Sequence, residues 1–113
     1  MASNSLIPDY EELSTFISYT FSTLRAPYME WANLARLAIQ GLHYNTRRLS
    51  ELEDFINARR EELRKAVMLA SEHFEEALLI ELRNQAHMSK TAWRSLKKQG
   101  PVTIKNGFKL VSY

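Results

Sequence analysis

The side chains best suited to chemistry in this sequence are cations near its C-terminal end, where no carboxylate accompanies them. Residues 82–113 contain seven Lys and Arg and no Asp or Glu, a formal charge of +7. Residues 1–81 contain 8 Lys and Arg against 13 Asp and Glu, a formal charge of −5. Cations neutralise phosphates and release counterions, and exposed aromatic rings stack on unpaired bases. The asymmetry therefore predicts a nucleic-acid-binding segment made of Lys90, Trp93, Arg94, Lys97, Lys98, Lys105 and Lys109.

Trp93 and Leu96 lie on one side of a predicted short helix. Four of the cations share roughly another side: Lys90, Arg94, Lys97 and Lys98. The competing interpretation is a solvated helix surface whose Trp93 belongs to the core. RNA is favoured over DNA as the ligand, because no helix-turn-helix or zinc-finger signature indicates reading of the major groove.

A second basic series lies further upstream, among carboxylates. Arg36 and Arg47 are 11 residues apart, which is about three helical turns, so they return to one face. Glu61 and Lys65 have the spacing of a favourable helical ion pair. Such a face could track a nucleic-acid backbone, but the surrounding carboxylates favour a salt-bridged surface. We therefore predict the latter for this series, which comprises Arg36, Arg47, Arg48, Arg59, Arg60, Arg64 and Lys65.

Signals for catalysis or metal binding are weak. His43, His73 and His87 are far apart and belong to no H-E-x-x-H or E-x-x-H motif. The glutamates around His73 resemble a ligand cluster, but on a helix they are more typical of a solvated acidic face. The sequence has no cysteine, no Gly-rich phosphate loop and no G-x-S-x-G. It thus predicts a non-enzymatic protein without a metal or other cofactor.

Apolar residues surround almost the whole helix near residue 80. A helix that is apolar on every side is buried on every side, and a chain of 113 residues has few helices to cover it. We therefore predict a homodimer, or another protein interface, at Phe74, Leu78, Leu79, Ile80 and Leu82. This surface supports an alternative function, a protein–protein adaptor or viral accessory protein. A third alternative is peripheral membrane binding through the cations and Trp93.

The elements that position these residues are predicted to be mainly α-helical, in a single domain over residues 1–113. A first helix is expected near Pro8 or Asp9, where Asp9 and Glu12 have capping-box spacing. A strand at residues 15–23 is the alternative, because β-branched and aromatic residues are frequent there. Pro27 is predicted to open a second helix that reaches about Tyr44.

A long helical run follows, from a second capping box at Ser50 and Glu53. Its apolar residues repeat about every 11 positions, which describes a nearly straight helix in a bundle. The run over residues 51–98 either breaks near residues 84–89, with Ser89 as a new N-cap, or projects and pairs with a second copy. Two strands around Asn106 and Gly107 then predict a C-terminal β-hairpin over residues 100–113. The predicted fold class is a helical bundle with one long helix and this hairpin.

Targeting signals are not apparent in the sequence. The N-terminus has neither a basic region nor a continuous apolar region of the kind found in secretory signals. Apolar runs fall well short of the roughly 20 residues that a membrane-spanning helix needs. We expect a cytoplasmic protein, or a nuclear one in a eukaryotic host.

Overall fold

Helices account for most of residues 8–98, the part of the chain that a computed structural model describes. In chain order they are α1 (Tyr10–Thr23), α2 (Arg25–Ile39), α3 (Thr46–His73), α4 (Glu76–Gln85) and α5 (Lys90–Lys98). The longest, α3, has 28 residues and contacts α1, α2 and α5. The other helices are therefore arranged around α3, and α4 packs against α1.

The buried face of α3 follows from its apolar spacing. Leu52 and Leu63 are 11 residues apart, as are Ile56 and Val67, and all four side chains are buried. Three helical turns take about 11 residues, so this spacing keeps the apolar side chains on one stripe. The stripe packs on a core that includes Trp31, whose side chain is fully buried. The period predicted for the long run is confirmed within α3.

The first helix begins where its sequence predicts. The Asp9 carboxylate accepts hydrogen bonds from the backbone N–H groups of Glu11 and Glu12, at 2.8 and 3.3 Å. Helix α1 then continues through residues 15–23, so the strand alternative is wrong. Helix α2 begins at Arg25, which places Pro27 at its third position. A proline is tolerated there because N–H groups in the first turn have no partner within the helix.

The end of α2 differs from the predicted one near Tyr44. The helix ends at Ile39 because Gly41 adopts a left-handed φ of +73°. The Leu42 N–H donates to the carbonyl of Leu37 at 2.9 Å, and the Gly41 N–H donates to another carbonyl of the last turn. This pattern is a Schellman motif, which favours glycine because a β-carbon is strained at positive φ.

The predicted capping box at Ser50 and Glu53 is wrong. Helix α3 begins at Thr46, and the Asn45 side chain accepts a hydrogen bond from the Arg48 N–H at 3.0 Å. Glu53 has a tertiary partner instead, because its carboxylate accepts a hydrogen bond from the indole N–H of Trp31 at 3.0 Å. A buried indole N–H needs such an acceptor.

The predicted run over residues 51–98 breaks twice. The break near Ser89 is confirmed, because its hydroxyl accepts a hydrogen bond from the Ala92 N–H at 3.0 Å. The other break was not predicted and lies at Phe74, whose backbone is extended (φ −115°, ψ 145°). The Phe74 ring packs edge-on against Tyr10, with ring centroids 5.4 Å apart. Burial and the nearby Glu81 carboxylate raise the pKa of the Tyr10 phenol, because both disfavour its charged form.

The predicted fold class is wrong in combining a helical bundle with a β-hairpin. Within residues 8–98 the chain forms helices and their connections, and no strand occurs there. Apolar residues at helical spacing make up most of the buried positions of these helices, and Ser14, Thr20 and Arg60 are buried among them. The fold over the described residues is therefore all-α. The predicted hairpin, at residues 100–113, lies outside the described residues.

Helix α4 ends in a second Schellman motif, at His87. The Met88 N–H donates to the carbonyl of Arg83 at 2.9 Å, and the His87 N–H donates to that of Asn84 at 3.1 Å. His87 has a φ of +56°, which costs a residue with a β-carbon about 1–2 kcal/mol. Its neighbours Ala86 and Met88 are both buried, so their packing holds this backbone in place.

Replacing His87 with glycine should therefore stabilise the protein. We expect His87→Gly to raise the free energy of unfolding by about 0.5–1 kcal/mol, measured by urea denaturation. His87→Ala is the control, because it removes the imidazole and keeps the strained φ. Equal stability of the glycine variant and the wild type would contradict the strain assigned to this position.

Candidate nucleic-acid interface

The candidate interface is the outer face of α5. Ser89 caps this helix, and its buried residues Ala92, Trp93 and Leu96 fix which side faces the core. The helix packs on α3, so the opposite side faces solvent. Four exposed cations lie there, and we call them the α5 cationic face: Lys90, Arg94, Lys97 and Lys98.

The cations of this face have no anionic neighbour within the described chain. Over residues 8–98, no Asp or Glu oxygen lies within 4.0 Å of any of them. The last carboxylate before α5 is that of Glu81, in the preceding helix. An exposed cation without an ion-pair partner keeps its full charge for a ligand, screened only by salt.

The upstream arginines show the opposite arrangement. Arg48 on α3 donates through two nitrogens to the carboxylate of Glu30 on α2, at 2.6 and 2.8 Å. This pair lowers the pKa of Glu30, because the hydrogen bonds favour the charged carboxylate. Further pairs join neighbouring turns of α3: Arg47 with Glu51, Arg59 with Glu62, and Arg64 with Glu61. The predicted salt-bridged surface is confirmed for these four arginines, whereas Arg60 is buried.

Trp93 does not lie with the cations that precede and follow it. Its side chain is 6% exposed and belongs to the core, so no base can stack on it in this structure. The predicted stacking role of Trp93 has no support, and the competing interpretation of a core tryptophan describes its position. Lys105 and Lys109, which complete the predicted binding segment, lie outside the described residues.

The predicted interface residues separate into three groups. Leu82 is fully buried within the chain itself, so it belongs to the core and not to an outer surface. Phe74, Leu78 and Leu79 are half-buried, and the first of these packs on Tyr10. Ile80 is 40% exposed. Helix α4 is thus covered on one side by the chain, because it lies against α1.

A groove that the sequence did not predict lies between the α1–α2 corner and the turn into α5. It encloses about 570 Å³, and its lining includes the apolar side chains of Leu24, Tyr28, Met29 and Ala92. These residues come from segments about 60 positions apart in the chain. Neither helical periodicity nor capping patterns carry a signal for such a juxtaposition.

The three histidines do not form a site with one another or with acidic residues. His43, His73 and His87 are all exposed. Across residues 8–98, no three His, Asp or Glu side chains are grouped so that they could hold a metal ion. In the same part of the chain, no helix has the length and apolarity needed to cross a membrane.

Comparisons with known proteins give no relative from which a function could be inferred. No family model, characterised protein or solved structure matches this chain at a significant level. The site is therefore interpreted from its own geometry.

Because Leu82 is buried and Ile80 is partly exposed, we expect their replacement by alanine to lower the free energy of unfolding by different amounts. Leu82→Ala should lower the free energy of unfolding by about 2–5 kcal/mol, because it leaves a cavity in the core. Ile80→Ala should lower it by less than about 1 kcal/mol, because that side chain is already partly solvated. Urea denaturation of both variants measures the difference. Equal losses would contradict the orientation of α4 described above.

Proposed function

We propose that this protein binds nucleic acid, RNA in preference to DNA, through the α5 cationic face, and that it does so without catalysing a reaction. The observation that carries the proposal is four exposed cations, none with an ion-pair partner within residues 8–98. Exposed cations without an ion-pair partner gain the most free energy on binding phosphates, because no internal ion pair has to be broken first. On this proposal the protein acts in the cytoplasm or the nucleus, the compartments that hold RNA.

The spacing of the cations suits a phosphate backbone. Lys90, Arg94 and Lys97 lie about one helical turn apart, and the face extends about 12 Å from Lys90 to Lys98 at ~1.5 Å per residue. Such a row contacts a few neighbouring phosphates. Contacts of this kind supply affinity and little sequence preference, because a phosphate is the same at every nucleotide. We therefore propose binding that depends weakly on sequence and strongly on salt.

Neutralising the α5 cationic face should weaken binding without unfolding the protein. We expect replacement of Lys90, Arg94, Lys97 and Lys98 by Gln to reduce affinity about equally for unrelated sequences. The slope of log affinity against log salt should flatten by roughly 0.7–0.9 per lost contact. Fluorescence anisotropy with labelled RNA at several salt concentrations measures both effects. Thermal stability should barely change, because exposed cations contribute little to folding.

The salt-bridged arginines provide a control with the same change in net charge. Replacing Arg47, Arg48, Arg59 and Arg64 by Gln also removes four positive charges, but from side chains that already pair with glutamates. We expect this variant to bind RNA far more tightly than the α5 variant does. Equal weakening would contradict a localised interface. Wild-type protein that fails to bind at low salt would favour the adaptor function instead.

We further propose that the protein assembles as a homodimer through α4. Among the ten described residues of this helix, Leu82 alone is buried, whereas Ile80 and Ala77 are exposed and Leu78 and Leu79 are half-buried. Burying apolar side chains that are this exposed against a second surface is energetically favourable. A dimer would also double the number of cations presented to one nucleic acid.

Sedimentation equilibrium tests the assembly. We expect the wild type to exceed the monomer mass of 13.2 kDa at micromolar concentration. Ile80→Glu should shift it to the monomer, because a buried carboxylate without a partner is costly to desolvate. A charge at the exposed Leu42, on the connection between α2 and α3, serves as the control and should leave the mass unchanged. A wild-type monomer at this concentration would disprove the assembly.

A further inference from the structure

We propose that the groove between the α1–α2 corner and the turn into α5 takes an unpaired base of the strand whose phosphates lie on the α5 cationic face. This inference rests on the proposed function and extends it, because it names a second subsite and restricts the ligand to single-stranded segments. The groove has the size of a small-molecule site, at about 570 Å³ against the range of roughly 300–1,000 Å³ for such sites.

The chemistry of the lining suits a flat, apolar ring system. Buried residues form its floor, and they include Leu24, Tyr28 and Ala92. Half-buried Phe21 and the 59% exposed Met29 stand at its sides. A base needs apolar contact over its faces, and every base offers such faces whatever its identity. The thioether of a methionine also makes favourable contacts with aromatic rings.

The charge of the groove favours a nucleotide over a cationic or a neutral ligand. No Asp or Glu lines it, and Arg25 does. Ser89, the N-cap of α5, belongs to the lining, and the next residue is Lys90, the first cation of the α5 cationic face. The groove thus lies beside the start of α5, and a strand that follows the face past Lys90 would reach it there. An apolar side chain of a partner protein would fill the same space, but it would leave these cations without an anion.

The test compares two short single strands with the same number of phosphates. One is an oligouridylate of about ten nucleotides, and the other carries abasic sugars along the same backbone. Anisotropy titrations with the full-length protein give the ratio of the two affinities. We expect the wild type to bind the base-containing strand roughly tenfold more tightly, which one well-seated base supplies.

Met29→Glu should abolish this preference, because it puts an exposed carboxylate at the side of the groove. Its matched control is Ile39→Glu, on the same helix and 56% exposed against 59% for Met29. Each variant gains one negative charge and should weaken binding to the abasic strand, whereas Ile39→Glu should retain the preference for the base-containing strand. Circular dichroism checks that both remain helical.

The outcomes distinguish the two proposals. Equal affinity of the wild type for both strands overturns the base subsite and leaves phosphate binding by the α5 cationic face intact. Loss of the preference in Ile39→Glu as well as in Met29→Glu also overturns it. Binding of neither strand overturns the proposed function together with the subsite.

Discussion

The burial of the apolar stripe of α3 is the interaction on which the rest of the structure depends. Ile56, Leu63 and Val67 are fully buried, and α1, α2 and α5 all pack against this helix. Fully burying such a side chain contributes about 1.5–3 kcal/mol. Because α1, α2 and α5 have α3 as a shared partner, their orientations are set together, and the outward face of each of these three follows from its contact with α3.

The α5 cationic face follows from this constraint. Helix α5 has nine residues, too few to be stable alone in water, so it depends on packing for its existence. Trp93 and Leu96 supply that packing, and their burial turns the cations outward. The tryptophan therefore contributes to the proposed function indirectly, because it orients the helix that carries the charges.

The groove and the strained turn at His87 both follow from the way α4 packs on α1. A hydrogen bond from the Ser14 hydroxyl to the Gln85 side-chain oxygen joins α1 to α4, and Phe74, at the break before α4, packs on Tyr10 of α1. This docking brings the end of α4 near the α1–α2 corner, and the chain then turns at His87 into α5. The groove is the space left between that turn and the corner. This space stays open because α4 and α5 approach the α1–α2 corner with their ends, and neither packs a continuous helix face against it.

Local patterns in the sequence determined the helical character of residues 8–98, several helix ends and the distribution of charge. Asp9 and Ser89 cap helices as predicted, since a cap needs its own side chain and the next few N–H groups. The carboxylate-free stretch is likewise a property of the sequence. Other local patterns gave wrong predictions. Ser50 has the spacing of a capping box with Glu53, but it lies inside α3.

Tertiary structure decided the remaining features, because each depends on residues far apart in the chain. At the break, Phe74 packs on the ring of Tyr10, 64 residues earlier in the chain, and Glu53 has its acceptor role only because Trp31 is brought to it. Core packing placed Leu82 inside and left Ile80 exposed, although both belong to one apolar run. The sequence by itself thus determined which charges the protein carries. Only the packing of α5 on α3 decided that four of them face solvent without a partner among the described residues, because exposure is a property of the assembled helices and not of any one segment.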